Sequence, residues 1–313
     1  MDTLRSRRIN TALGIVAIVL WSSTMALARS LSEALGPLTA GTIVYTAGGV
    51  LGCLYLAARG RLVAAFRLPR AYLVGSGLLF VAYIVCMYLA VGLAVSRQQT
   101  IEVGILNYLW PALTLVFAIP ILHARVRAAF WPGVVLGLAG AALAPLRLEE
   151  YSLDALAANL RANPVPYLLA LAAAILWGLY SNVSRRWAGQ ARGGAVPVFV
   201  LVTGLVLAAL RWAFPEESVW TARAMAELAF LAVFPTLLAY AMWDAAVRRG
   251  NLTLVASVSY LAPLLSTAIS AVYLDVAVGW NLWAACGLVV AGALVCSRSV
   301  VRCRPRQAAA YPR

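Results

Sequence analysis

Apolar residues in this chain neither alternate nor mark a single helical face; they run on for about 20 residues at a time, the length of helix that crosses a bilayer. The runs lie at roughly 11–29, 38–58, 71–95, 99–121, 128–146, 166–184, 195–213, 225–247, 252–273 and 279–297, each bounded by arginines or by Pro and Gly. They predict an all-α membrane protein with ten transmembrane helices, and they leave no stretch for a separate soluble domain. The first run follows Arg5, Arg7 and Arg8 as a signal peptide would, but its length and the nine runs after it mark it as a retained first helix.

Charge then orients the helices. Arginine-rich short loops stay cytoplasmic, and with the N-terminus inside 19 of the 25 arginines fall in inner segments. The outer segments keep Arg29, Arg97, Arg147, Arg161, Arg211 and Arg223, beside the acidic pairs Glu149, Glu150 and Glu216, Glu217. An odd number of spans breaks this alternation, so both termini are expected in the cytoplasm. The longest outer loop holds SLDALAANL, where Ser152 can cap a short interfacial helix with Leu153, Leu156 and Leu160 on one face.

Composition excludes several classes. Hydrophobic residues make up 63% of the 313 and charged residues 12%, against roughly 25% charged in a soluble domain. A net charge of +14 would suggest nucleic acid in a soluble protein. Here the arginines sit between apolar runs and form no basic stripe with interleaved aromatics, so no nucleic-acid partner is expected. Cys53, Cys86, Cys286, Cys296 and Cys303 show no CxxC spacing and no histidine cluster, so neither a disulfide framework nor a metal site is indicated, and no cofactor is expected.

The chain also repeats itself. Shifted by 156, Ala17, Leu20, Trp21 and Arg29 meet Ala173, Leu176, Trp177 and Arg185, and Val44, Gly48 and Leu51 meet Val200, Gly204 and Leu207. Shifted by 152, Tyr88, Arg97, Tyr108, Pro111, Trp131 and Gly140 meet Tyr240, Arg249, Tyr260, Pro263, Trp283 and Gly292. Matched Trp, Tyr, Pro and Gly are hard to obtain from apolar composition alone. The change in shift falls in a loop, where insertions are tolerated. The reading is a first five-helix repeat over 1–147, an external linker over 148–165, a second repeat over 166–298 and a basic tail over 299–313. An odd number of spans per repeat inverts one copy against the other, and inverted copies are the scaffold that alternating access uses.

LWSSTMALAR opens the first copy and LNYLWPALTLVFAIPIL with GLAGAAL closes it, while SYLAPLLSTAISAVYLD with GLVVAGALV closes the second. On these segments the chain resembles the drug/metabolite transporter superfamily in its ten-helix EamA-like form, and within it is most similar to the aromatic amino-acid exporters of the bacterial inner membrane. The resemblance implies a central substrate cavity within helices 1, 3, 4, 6, 8 and 9, with helices 5 and 10 packed as scaffold. Many members carry a Glu after the fourth and ninth helices; here His123 and Asp275 stand there.

Candidate binding residues come from depth. Pro111 and Pro263 fall near the bilayer midplane and free the carbonyls of Asn107 and Ser259, which protein, water or a ligand must satisfy. Trp21 with Thr24, and Trp177 with Tyr180 and Ser181, give each first helix an aromatic and polar face. Tyr83, Tyr108, Tyr240 and Tyr260 lie too deep for the interfacial belt that Trp and Tyr favour, and Ser257 adds a hydroxyl. Together they describe an aromatic-walled pocket for a small molecule, with Pro111, Pro235 and Pro263 as hinges. Core packing explains any one of these aromatics equally well. Glu102, Glu227 and Asp244 sit near the surfaces and no charge sits at the midplane, which points to a neutral or zwitterionic substrate. An exporter of lipophilic cations would want a carboxylate early in the first helix, where none stands. An intramembrane enzyme would need a base beside a nucleophile, and His123, the single histidine, lies at the edge of its span. Either a monomer or a homodimer is compatible with the sequence.

Overall fold

The structure is a computed structural model that describes residues 2–143, 153–188, 193–273 and 280–301. Asp275, the pair Glu149 and Glu150, Cys303 and the tail beyond residue 301 lie outside the described residues. The chain opens with α1 (Asp2–Ser22) and α2 (Thr24–Leu35), turns at Gly36, and continues through α3 (Pro37–Ala58) and the short α4 (Leu62–Phe66). A π-helical turn, π1 (Ala71–Ser76), runs into α5 (Gly77–Gly92), followed by α6 (Arg97–Asn107), α7 (Trp110–Leu122), β1 (Arg125–Val126) and α8 (Phe130–Leu143). After α9 (Leu153–Ala162) come α10 (Val165–Trp187), α11 (Val196–Ala213) and α12 (Ala222–Leu231). A second π turn, π2 (Ala232–Leu238), leads into α13 (Ala239–Arg249), then α14 (Leu252–Val258), α15 (Leu261–Tyr273), α16 (Trp280–Ser299) and β2 (Val300–Val301).

Side-chain caps start several of these helices. The oxygens of Ser96, Thr221 and Asn251 accept from the backbone N–H three residues on, satisfying donors that a helix N-terminus otherwise leaves bare. Six helical stretches are long and apolar enough to cross a membrane: Pro37–Ala58, Ala71–Gly92, Glu102–Leu122, Val165–Trp187, Val196–Ala213 and Ala222–Arg249. Shorter apolar helices cover Phe130–Gly140, Leu252–Ser266 and Gly287–Cys296. The first predicted span divides at Ser23, whose hydroxyl and N–H both donate to the Leu20 carbonyl, so α1 and α2 meet at a tightened turn. The helix expected in the outer loop is α9. Its Leu156 packs with Val103, Tyr167 and Ala170.

Two helix pairs pack most extensively, α3 on α11 and α8 on α16. Small residues make this possible, because backbones must approach closely where hydrocarbon supplies no hydrophobic drive. A Cβ at Gly292 would stand 2.5 Å from the Gly137 nitrogen, and one at Gly204 would stand 2.5 Å from the Thr46 nitrogen. Beyond α8, Arg125 and Val126 pair antiparallel with Val301 and Val300, and Ser299 O accepts from Arg127 N at 2.9 Å. The α8–α16 pair is thus tied at one end by backbone hydrogen bonds.

Loop contacts define two ends. At the first, Glu216 from the α11–α12 loop accepts from Leu38 N (2.9 Å), Thr39 N (2.8 Å) and Thr39 Oγ1 (2.8 Å), capping α3 beside the Gly36 turn. At the second, Arg185 Nη1 on α10 donates to Val247 O (3.1 Å) and Gly250 O (3.0 Å), and Thr11 Oγ1 on α1 accepts from Asn251 N (2.9 Å). Large apolar side chains such as Val74, Leu78, Leu168 and Trp212 are exposed between the ends, a surface that only lipid covers without cost. Because α8 and α16 touch through glycine, Gly292→Leu is expected to destabilise the solubilised protein by about 1–3 kcal/mol through overpacking. Val290→Leu, on an exposed face of the same helix, should leave it unchanged; heating followed by size-exclusion chromatography reads both.

Candidate functional site

The site is built on interruptions. Pro111 cannot donate to the Asn107 carbonyl, nor Pro263 to that of Ser259, so each point is a place for a helix to kink or break. The expected kinks are tightened turns, at Tyr108–Leu109 between α6 and α7 and at Ser259–Tyr260 between α14 and α15. Tyr108 N bonds Gly104 O (3.1 Å) and Ile105 O (3.0 Å), and Leu109 N bonds Leu106 O (3.2 Å). Ser259 O is taken within the chain by Ala262 N at 3.0 Å, so it is no ligand for a substrate. Pro235 lies inside π2, whose wide turn exposes its carbonyl; Trp21 Nε1 donates to that oxygen at 2.9 Å.

Around Trp21 the aromatic rings gather. Its ring centroid lies 5.1 Å from Tyr240, 5.3 Å from Trp243, 5.5 Å from Trp177 and 6.5 Å from Trp110, with edge-on or tilted planes. Each such pair contributes roughly 0.5–1.5 kcal/mol beyond the area it buries. Trp177 also packs against Tyr83 (4.7 Å), and Tyr45 OH meets Tyr240 OH at 3.1 Å. One tyrosine of that pair donates to the other, which leaves the acceptor's own proton to point elsewhere.

On one side of this aromatic layer lies a cavity of about 220 Å³. It reaches from Trp21 and Trp177 toward Pro37 and Val91, which flank the first end, and a smaller recess of about 50 Å³ adjoins it beside Pro235 and Thr236. Seven sequence-predicted residues line it: Trp21, Thr24, Tyr83, Asn107, Tyr108, Trp177 and Tyr240. Thr24 Oγ1 and Asn107 Oδ1 are buried and make no hydrogen bond within the protein. No acidic or basic side chain lines the cavity among the described residues.

Four predicted residues, Tyr180, Ser181, Ser257 and Tyr260, lie away from this cavity. Tyr180 and Ser181 lie wholly buried on the other side of the aromatic layer, where Ser181 Oγ accepts from Trp243 Nε1 at 3.2 Å. Ser257 is buried in α14, and Tyr260 packs on Gly137 of α8 in a separate apolar cluster. The sequence reading passed over Trp110, Tyr45 and Ser32, all of which line the cavity. Their partners at the repeat shifts are Ala262, Leu201 and Ala188, so no matched pair drew attention to them. Tyr88, whose partner is Tyr240, lines the cavity too. Among the described residues no group of three His, Cys, Asp or Glu side chains gathers as a metal site would require.

The sequence model of the EamA-like transporter family matches twice, over residues 9–145 and 165–298. The chain belongs to the EamA-like transporter family. It is 34% identical to the aromatic amino acid exporter YddG of Escherichia coli (strain K12), over 93% of this chain and 97% of that protein. It is 36% identical to the protein of the same description from Ancylobacter novellus, again over 93% of this chain and 97% of the relative. A solved crystal structure superposes with a TM-score of 0.78 at 31% identity, over 92% of this chain and 97% of that one. For an EamA-like transporter, a charge-free cavity at interrupted helices is a place to hold a small molecule inside the membrane. Trp21→Phe keeps a ring at the centre but leaves the Pro235 carbonyl without its N–H donor. It is expected to cost about 1–2 kcal/mol of stability, read as a lower melting temperature of the purified protein.

Proposed function

We propose that this protein exports aromatic and other neutral amino acids, with related metabolites, across the bacterial inner membrane by alternating access. The observation that carries this reading is the cavity itself: aromatic walls, no charged side chain among the described lining residues, and two buried polar atoms, Thr24 Oγ1 and Asn107 Oδ1, still without a partner. Such a site suits a zwitterion with an apolar side chain. The ammonium can lie against the face of a tryptophan, worth about 2 kcal/mol or more when desolvated, and can donate to Asn107 Oδ1. The carboxylate can accept from Thr24, Ser32 and the free proton of the Tyr45–Tyr240 pair. The names borne by the relatives support amino-acid cargo and the outward direction.

Ten membrane helices in two inverted copies, with both termini inside, form the scaffold of this reading. The double match of the family model supports it. So do the equivalent interruptions at Tyr108 and Tyr260, and the close packing of α3 on α11 and α8 on α16, which pairs equivalent helices. With the N-terminus inside, the first end faces outward and the structure is an outward-facing state. Pro111, Pro235 and Pro263 are the points about which the bundles pivot. Proteoliposomes loaded with unlabelled phenylalanine should accumulate labelled phenylalanine and tryptophan by counterflow, and Trp177→Ala should abolish it while the protein still elutes as a single species. Running the assay with and without a pH gradient reports proton coupling. Uptake of cationic dyes with no amino-acid counterflow would replace this reading by a drug exporter.

A further inference from the structure

The two repeat shifts turn the open cavity into a map of its counterpart. Thr24, Ala28, Val91, Tyr108 and Ser266 line the cavity; the same shifts carry them to Tyr180, Ser184, Trp243, Tyr260 and Thr114. All five counterparts are fully buried: Trp243 in the aromatic layer, Tyr180 and Ser184 beyond it toward the second end, Thr114 within α7, and Tyr260 in the apolar cluster of α7, α8, α14, α15 and α16. Of their polar groups, Thr114 Oγ1 donates to Trp110 O at 2.8 Å and Trp243 Nε1 donates to Ser181 Oγ at 3.2 Å. Tyr260 OH makes no hydrogen bond within the protein, and neither does Asn182 Oδ1, two residues after Tyr180. A buried oxygen left bare is destabilising, a cost that disappears once water reaches it.

One feature of this closed half has no equivalent in the open one. Asp244 on α13 accepts from Arg248 Nε and Nη2 at 2.8 Å each through Oδ2, and from Tyr72 OH at 2.9 Å through Oδ1, with Tyr180 OH at 3.5 Å. Ala195 N donates to Tyr72 OH at 3.3 Å, and Gly194 lies against the carboxylate. The ion pair lies within α13; its carboxylate ties α13 to π1 and α10 through the two tyrosine hydroxyls, and Tyr72 reaches the start of α11 across the second end. At the repeat shift Asp244 and Arg248 correspond to Gly92 and Ser96.

We propose that Asp244 and Arg248, with Tyr72 and Tyr180, latch shut a second substrate cavity that opens at the opposite end, lined by Tyr180, Ser184, Trp243, Tyr260 and Thr114. The inference rests on the alternating-access reading and adds to it the residues of the inner path and the bond that closes it.

Its test is thiol accessibility in nanodiscs, with no substrate present. Ser184→Cys and Thr24→Cys are made separately, treated with an impermeant maleimide, and labelling is quantified on the peptide holding each residue, so that native cysteines do not contribute. Ser184→Cys should label slowly in the parent and about tenfold faster with Asp244→Asn, while Thr24→Cys labels more slowly there, as a shift between two states requires. The double substitution Asp244→Asn with Arg248→Gln leaves no lone buried charge and carries the same expectation should the single variant fail to fold. Labelling at residue 184 that is no faster in either background overturns the latch, as does a rise at both positions, which signals general loosening. Absent counterflow would sink the amino-acid assignment without touching these rates, and unchanged rates would sink the latch without touching counterflow.

Discussion

The edge contact between Trp21 and Trp177, 5.5 Å between ring centroids, is the interaction on which the rest of this structure depends. It joins the first helix of one half to the first helix of the other and sets the level at which the open space stops. Trp110, Tyr240 and Trp243 complete the layer. Rings suit this duty inside a membrane because they fill volume without leaving hydrogen-bonding groups for hydrocarbon to solvate. The polar atoms they do carry are placed: the indole N–H of Trp21 on Pro235 O, that of Trp243 on Ser181, and the hydroxyl of Tyr240 on Tyr45.

The same constraint explains why the cavity lies at breaks in helices. A continuous helix satisfies its own backbone, and so offers a ligand only side chains. Pro111 and Pro263 interrupt that self-sufficiency at one depth, and π2 does so again at Pro235. The interruptions differ in their consequence. At Ser259 the chain closes on itself through Ala262 N, while the side chain of Asn107 stays unmatched at the cavity wall. One half is therefore sealed and the other receptive.

Much of this was legible in the sequence, and the rest failed for a stateable reason. Run length located the long apolar helices because bilayer thickness acts on every segment independently. Trp21, Trp177 and Tyr240 stand out because depth separates them from interfacial aromatics, and Asn107 because Pro111 follows it by four residues. Tyr180 and Tyr260 were assigned to the same pocket because a repeat makes equivalents look interchangeable. In the structure the equivalents are not alike: Tyr108 lines the cavity while Tyr260 is packed on Gly137. Trp110 and Tyr45 escaped for the complementary reason, since their partners are Ala262 and Leu201 and only one half uses the side chain.

That lack of strict equivalence bears on energetics. Two identical inverted copies would give both states equal free energy, so any preference must come from positions where the copies differ. Asp244 and Arg248 against Gly92 and Ser96 is such a difference. A buried ion pair is a shallow bias rather than a deep one, because the attraction between the charges is largely offset by what each lost on leaving water. Opening the second end would return water to both charges and part Asp244 from Tyr72 and Tyr180, while Asp244 and Arg248, four residues apart on α13, stay paired. On the reading proposed above, the bonds that part are those of Tyr72 and Tyr180 to Asp244, and their loss is offset by rehydration of the carboxylate, so a small molecule that prefers one state can tip the balance.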